Sequence, residues 1–164
     1  MGCCKSKPMV GSEDDNNNTN VSVKLMGSSL DTPDFSISGH IAVCKVVDVY
    51  DGDTCKVVFL YNGKLSKWTV RLAGYDTPEM RASKNTPNRE LIKARAILAR
   101  DYLRSLVMAD CKYVFIRCGP FEKFGRITGS LYLENPVENA EQKSINRMMI
   151  DSGHGVEIEF DNKE

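Results

Sequence analysis

Between Ile41 and Gly74 the sequence is a succession of β-type runs separated by two turn dipeptides, and this stretch limits the fold more than any other. IAVCKVVDVY, residues 41–50, is rich in Val and Ile and stops at Asp51-Gly52-Asp53-Thr54. CKVVFLY, residues 55–61, stops at Asn62-Gly63, and SKWTVRLAG, residues 66–74, follows. Asp-Gly and Asn-Gly accept the positive φ angles of tight hairpin turns, so the three runs predict a β-meander.

A helix is expected next. Thr86-Pro87 suits an N-cap followed by the first helical residue. Leu91, Ala94, Leu98, Tyr102 and Leu106 recur near 3.6-residue spacing and predict the buried face. Arg89, Lys93, Arg95, Arg100 and Arg104 would give the helix a basic, solvated outer surface. KYVFIRC (112–118) and ITGSLYLE (127–134) predict a fourth and a fifth strand. KSINRMMIDSG (143–153) predicts a short helix ending at Gly153, whose φ freedom suits a C′ position. The order βββ–α–ββ–α fits an α+β domain: a five-stranded barrel of OB type with an inserted helix and a short C-terminal helix. The expected extent of this domain is residues 39–161.

Composition narrows the function classes. The chain has 22 basic and 22 acidic residues among 164, so no global positive field draws it to nucleic acid. Contact with phosphate must come from a local site. Six cysteines occur without a CxxC pair and with only two histidines, which argues against structural zinc. Cys44, Cys55, Cys111 and Cys118 lie in or beside apolar runs and read as free, buried thiols of a reduced compartment.

Residues 1–38 differ in character. Met1-Gly2-Cys3-Cys4-Lys5-Ser6 fits the pattern M-G-x-x-x-[ST], with Gly2 as myristoyl acceptor and Cys3 and Cys4 as palmitoylation candidates. One acyl chain binds membranes marginally, so two signals would be needed for a stable anchor on the cytoplasmic face. GSEDDNNNTN is polar and low in complexity, so residues 1–38 read as a disordered, lipidated tail and linker. Val21 to Met26 form a short apolar patch within it, suited to a strand or to docking. Folded structure is expected to begin near His40.

Three segments carry candidate chemistry. Asp51-Gly52-Asp53-Thr54 joins strands one and two, Arg71 to Glu79 (RLAGYDTPE) ends strand three, and Glu122 to Arg126 (EKFGR) joins strands four and five. Asp53 and Asp76 offer hard carboxylate oxygens of the kind Ca²⁺ or Mg²⁺ prefers. Pro78 holds Thr77 out of the helical region and leaves its carbonyl oxygen available. Glu79 is suited to polarising a water beside the metal, and Arg71 and Arg126 to gripping a phosphate bidentately. Each fragment alone could be an ordinary turn; together they are the parts of a phosphodiester hydrolase.

In this order, DGDT, VRLAGYDTPE and FEKFGR resemble the thermonuclease (staphylococcal nuclease-like) family over roughly residues 40–160. The resemblance implies an OB-fold nuclease that hydrolyses DNA and RNA with Ca²⁺, Mg²⁺ being the less favoured ion, releasing the 5′ oxygen and leaving 3′-phosphate ends. It implies Asp53, Asp76 and the Thr77 carbonyl as metal ligands, with Asp51 behind them. Glu79 would be the general base, and Arg71 and Arg126 the phosphate-binding arginines. Lys123 matches a lysine near the bound nucleotide's phosphate. The chain departs from the pattern at Phe124, commonly Tyr, and at Glu122, commonly Asp. ENPVENAEQ lengthens the loop before the last helix, and HGVEIEFDNKE lacks the tyrosines that flank a bound base in the bacterial enzyme. Monomer is the default expectation. The alternatives are a non-catalytic OB module that binds nucleic acid or protein, and a lipid-anchored adaptor.

Overall fold

The computed structural model describes residues 21, 24–81, 83, 85–108 and 113–158. The chain divides into two units, Met1–Phe35 and Ser36–Glu164. In the first, residues 24–26 are helical, where the sequence suggested a strand or a docking patch. Gly2, Cys3, Cys4 and Cys111 lie outside the described residues.

The second unit holds strands β1 (Ile41–Val49), β2 (Thr54–Tyr61), β3 (Lys64–Leu72), β4 (Tyr75–Asp76), β5 (Val114–Phe121), β6 (Ile127–Tyr132) and β7 (Val156–Glu157). Helices α1 (Arg89–Val107) and α2 (Ile145–Asp151) complete it, with a 3₁₀ turn at Lys123–Gly125. Five strands close into a barrel in the order β1-β2-β3-β6-β5, an OB-type α+β arrangement. Every neighbouring pair is antiparallel except β3 with β6, which run parallel and close the barrel. The β2–β3 turn is built on Asn62 and Gly63 at φ 47° and 75°, the positive pair that matches strand twist.

Alternation decides what lies inside. Val57, Phe59, Val70, Leu72, Ile116, Ile127 and Leu131 are all buried, and α1 and α2 add Leu103, Val107, Ile145 and Met149 to the same core. Irregular pairing near Val47 in β1 and near Gly119 in β5 interrupts the ladder and helps the sheet curve.

Three expectations need correction. Ile37 is only 3% exposed and belongs to the core, so packing starts before His40; the Gly39 amide also donates to the Cys118 carbonyl, at 2.7 Å. The helix begins after Asn88, which has φ 56° and makes no side-chain cap, rather than at Thr86-Pro87. Asn tolerates that left-handed conformation, and Thr86 is instead tied into a turn through its amide to Ser83.

The third concerns the buried face of α1, which is Ala96, Ala99, Leu103 and Val107. The expected set is rotated by about one residue, roughly 100° of helix. Leu91 and Leu98 are 52% and 60% exposed and Ala94 is exposed, while Tyr102 and Leu106 only flank the core. Small alanines sit at the closest approach because the turn at Gly52 comes close: a Cβ there would fall 2.8 Å from that of Ala99. The basic surface also has a structural member, since Arg104 donates to the Val49 carbonyl at 3.0 Å.

The short helix is as expected. Ser144 caps it by accepting from the Arg147 amide, and Gly153 follows at φ 74°. β4 and β7 pair as a separate two-stranded sheet, too short to leave any periodic signal in the sequence.

Candidate functional site

The turn between β1 and β2 is fixed by its own side chains. The Asp53 amide donates to Asp51 Oδ1 at 3.3 Å, and Thr54 Oγ1 donates to Asp53 Oδ1 at 3.0 Å. The Leu72 amide donates to the Asp53 carbonyl at 2.7 Å, which binds this turn to the end of β3. Beyond β3, Thr77 clasps the same carboxylate: its amide and its hydroxyl reach Asp53 Oδ2 at 3.0 and 2.9 Å. Gly52 is required by this closeness, because a Cβ would come within 2.7 Å of the Thr77 methyl group. The Tyr75 hydroxyl, deep in the core, donates to the Gly52 carbonyl at 2.8 Å and supports the turn from below.

Arg71 joins the two acidic segments. Its guanidinium is ion-paired with both Asp53 and Asp76. Burial works against the Arg71 charge, but the carboxylates of Asp53, Asp76 and Asp51 outweigh it and raise its pKa. Asp51 shows the opposite stress. Burial first, then the Asp53 charge, pushes its carboxyl up to about 6. The site therefore holds more negative charge than one guanidinium readily compensates.

Arg126 arrives from the β5–β6 connection. There the Glu122 amide donates to the Arg126 carbonyl at 2.7 Å, and Gly125 turns the chain at φ 74°. Arg126 Nη2 also pairs with Glu122 at 2.8 Å.

These segments border one cleft of about 620 Å³. Asp51, Asp53, Arg71, Asp76, Thr77, Glu79 and Arg126 all line it, so seven of the residues singled out in the sequence converge. Glu79 is exposed and has no ion-pair or hydrogen-bond partner among the described residues. Lys123 lies elsewhere, in a neighbouring hollow that it shares with Phe121, Glu122 and Arg126. Thr54 of the candidate turn also lines it; Tyr50, Cys55, Lys56 and Thr69 complete the cleft wall, and these four were not foreseen. Two of them were legible, because Thr69 pairs with Lys56 across β2–β3 and lies two residues from Arg71, on its face of the strand.

Asn146 was also missed. It is buried, accepts from the Leu131 amide at 3.1 Å, and donates to the Ala73 and Gly129 carbonyls at 2.8 and 3.0 Å. It thus fixes the chain where β3 leaves the barrel toward the cleft. No local signal marks it, because Asn146, Arg147 and Asp151 are all polar positions of the same seven-residue helix.

Among the described residues, no three His, Cys, Asp or Glu side chains form a ready metal site. The donor chemistry nonetheless suits a hard dication. Asp53 and Asp76 offer carboxylate oxygens, and a cation already bridges them in the form of the Arg71 guanidinium. Compared with known proteins, the chain matches no family model and no curated protein. Among the described residues, no helix is long and apolar enough to cross a membrane.

The remaining thiols are structural. Cys44, Cys55 and Cys118 are free and buried. Burial, helped by the neighbouring Cys118, pushes the Cys44 thiol up to about 12, and burial pushes Cys118 up to about 11.

Proposed function

We propose that the chain is a thermonuclease-like enzyme, a metal-dependent phosphodiesterase that hydrolyses DNA or RNA in the cleft between the β1–β2 turn, the β3–α1 segment and the β5–β6 connection. One observation carries this reading: carboxylates and arginines from three separate segments meet at one opening of an OB-type barrel. Asp53, Asp76 and the Thr77 carbonyl would hold the ion, Ca²⁺ in preference to Mg²⁺, with Asp51 behind them. Such an ion, when bound, supplies charge neutralisation and Lewis acidity at a phosphate oxygen.

The chain's own groups account for the rest. Glu79 is exposed at the cleft and accepts the proton of the attacking water. The water oxygen bonds to phosphorus, the bond to the 5′ oxygen breaks, and that oxygen takes up a proton to leave as a hydroxyl. Arg126 offers its planar fork to the phosphate as charge builds on it, in exchange for Glu122. Arg71 keeps Asp53 and Asp76 in register and adds positive charge along the cleft floor.

We further propose that Gly2, Cys3 and Cys4 carry acyl chains that tether the enzyme to the cytoplasmic face of a membrane. Gly2→Ala is expected to abolish acyl incorporation and shift the protein to the non-membrane fraction.

The nuclease reading is tested by incubating the purified chain with plasmid and single-stranded substrates, in Ca²⁺, in Mg²⁺ and in chelator. Cleavage that needs Ca²⁺ and leaves 3′-phosphate ends supports it. Retention of oligonucleotide without cleavage under every condition would favour the non-catalytic binding module instead.

A further inference from the structure

The outer face of β1–β3 changes character along its length. At the Thr54 and Arg71 end it forms part of the cleft. At the other end, beside the β2–β3 turn, it is apolar. Leu65 pairs directly with Leu60, and the two are 70% and 58% exposed. Val43 on β1 and Tyr113 before β5 add side chains 54% and 61% exposed. With Val58 they border a groove of about 360 Å³. Leucines so open to water on a regular sheet face mark a surface that something covers.

Charge identifies the occupant. Val58 is paired with Lys45 on one side and Lys67 on the other, so two exposed lysines border the apolar strip across three strands. Lys64 is exposed at the turn itself. Among the described residues, no acidic side chain lines the groove. Apolar tips flanked by lysines, with a tyrosine at the margin, suit the boundary between acyl chains and anionic headgroups. Lysine stems can lie along the apolar strip while their ammonium groups meet phosphate.

We propose that this end of the β1–β3 face docks on an anionic lipid bilayer. Leu60 lies six positions along β2 from Thr54, about 20 Å at the usual rise per residue, and four positions, about 13 Å, from Lys56 at the near wall of the cleft. A docked molecule would keep its cleft open to the aqueous side. The face is built from the folded domain, so the proposal stands without the nuclease reading and without acylation.

The test uses the full chain produced in a host lacking N-myristoyltransferase, mixed in chelator with sedimenting vesicles. One set contains phosphatidylserine at about a third of the lipid, to mimic an anionic leaflet, and the other only phosphatidylcholine. The parent is expected to sediment with the anionic vesicles and to be released by salt. Leu60→Ser with Leu65→Ser should weaken sedimentation about tenfold while the circular dichroism spectrum is unchanged, since both side chains are exposed. Lys45→Gln and Lys67→Gln should each weaken it about fivefold. Three results would overturn the proposal: equal sedimentation of the leucine variant and the parent, a parent dimer that the leucine variant abolishes, or lysine variants that lose oligonucleotide retention and keep vesicle binding.

Discussion

Along β3, Val70 and Leu72 are buried inside the barrel, while Thr69 and Arg71, on the alternate positions, line the cleft. The same backbone therefore carries two kinds of stabilisation. Inside, apolar side chains from the five barrel strands, from β4 and from two helices fill one core, and their value scales with the area they remove from water. At the cleft, four charged groups sit in a partly buried network in which negative charge is in excess, and Asp51 is pushed toward its neutral form. Period-two alternation lets the barrel be stable while its rim stays electrostatically unfinished, ready for a positive charge to be added.

If that division holds, the two regions respond differently to substitution. The largest effect belongs to the core. Leu131→Ala should lower unfolding free energy by about 2–5 kcal/mol in denaturant titration, whereas Thr69→Ala should stay within about 0.5 kcal/mol. A Thr69 effect as large as that of Leu131 would break the contrast.

A smaller, ion-sensitive effect is expected at Arg71. Arg71→Met leaves Asp53 and Asp76 without their shared counter-charge and should cost about 2 kcal/mol in chelator, below the range for fully buried pairs because the cleft is open. Ca²⁺ should then raise the thermal midpoint of the variant more than that of the parent. Equal shifts in both proteins would mean that the carboxylates do not share one ion site.

The smallest change concerns the thiols. Cys44 and Cys118, with raised pKa values, hold far less thiolate at pH 8 than an ordinary cysteine, which is partly ionised there. Peptide mapping after mild iodoacetamide treatment at pH 8 should find both unmodified in the native protein and modified once it is unfolded. Rapid native labelling of Cys44 would show that the barrel opens more readily than its packing implies.

How far these features could be read in advance depends on what leaves a local signal. The strands were legible because Val, Ile and aromatic residues alternate between turn dipeptides whose φ requirements are specific, as at Asn62-Gly63. The cleft was legible because its residues sit at strand ends, where barrel closure brings separate loops together. The face of α1 was not, because Leu, Ala and Tyr surround much of the helix and the choice was made by close approach of the Gly52 turn to Ala99. Nor could sequence show that Arg71 would be held by two carboxylates, or that Asn146 would bind three backbone groups, since both arise only when distant segments meet.

The central claim is that this cleft hydrolyses phosphodiesters with Glu79 as its base. The most direct measurement is the Ca²⁺-dependent cleavage rate of the parent and of Glu79→Gln, purified side by side, with unfolding midpoints recorded for both. Glu79 is exposed and has no hydrogen-bond or ion-pair partner among the described residues, so the midpoints should agree. The rate should fall by about 10²–10⁴, the usual cost of losing a general base. Equal rates in the two preparations, or no cleavage by the parent in any metal, would contradict the account.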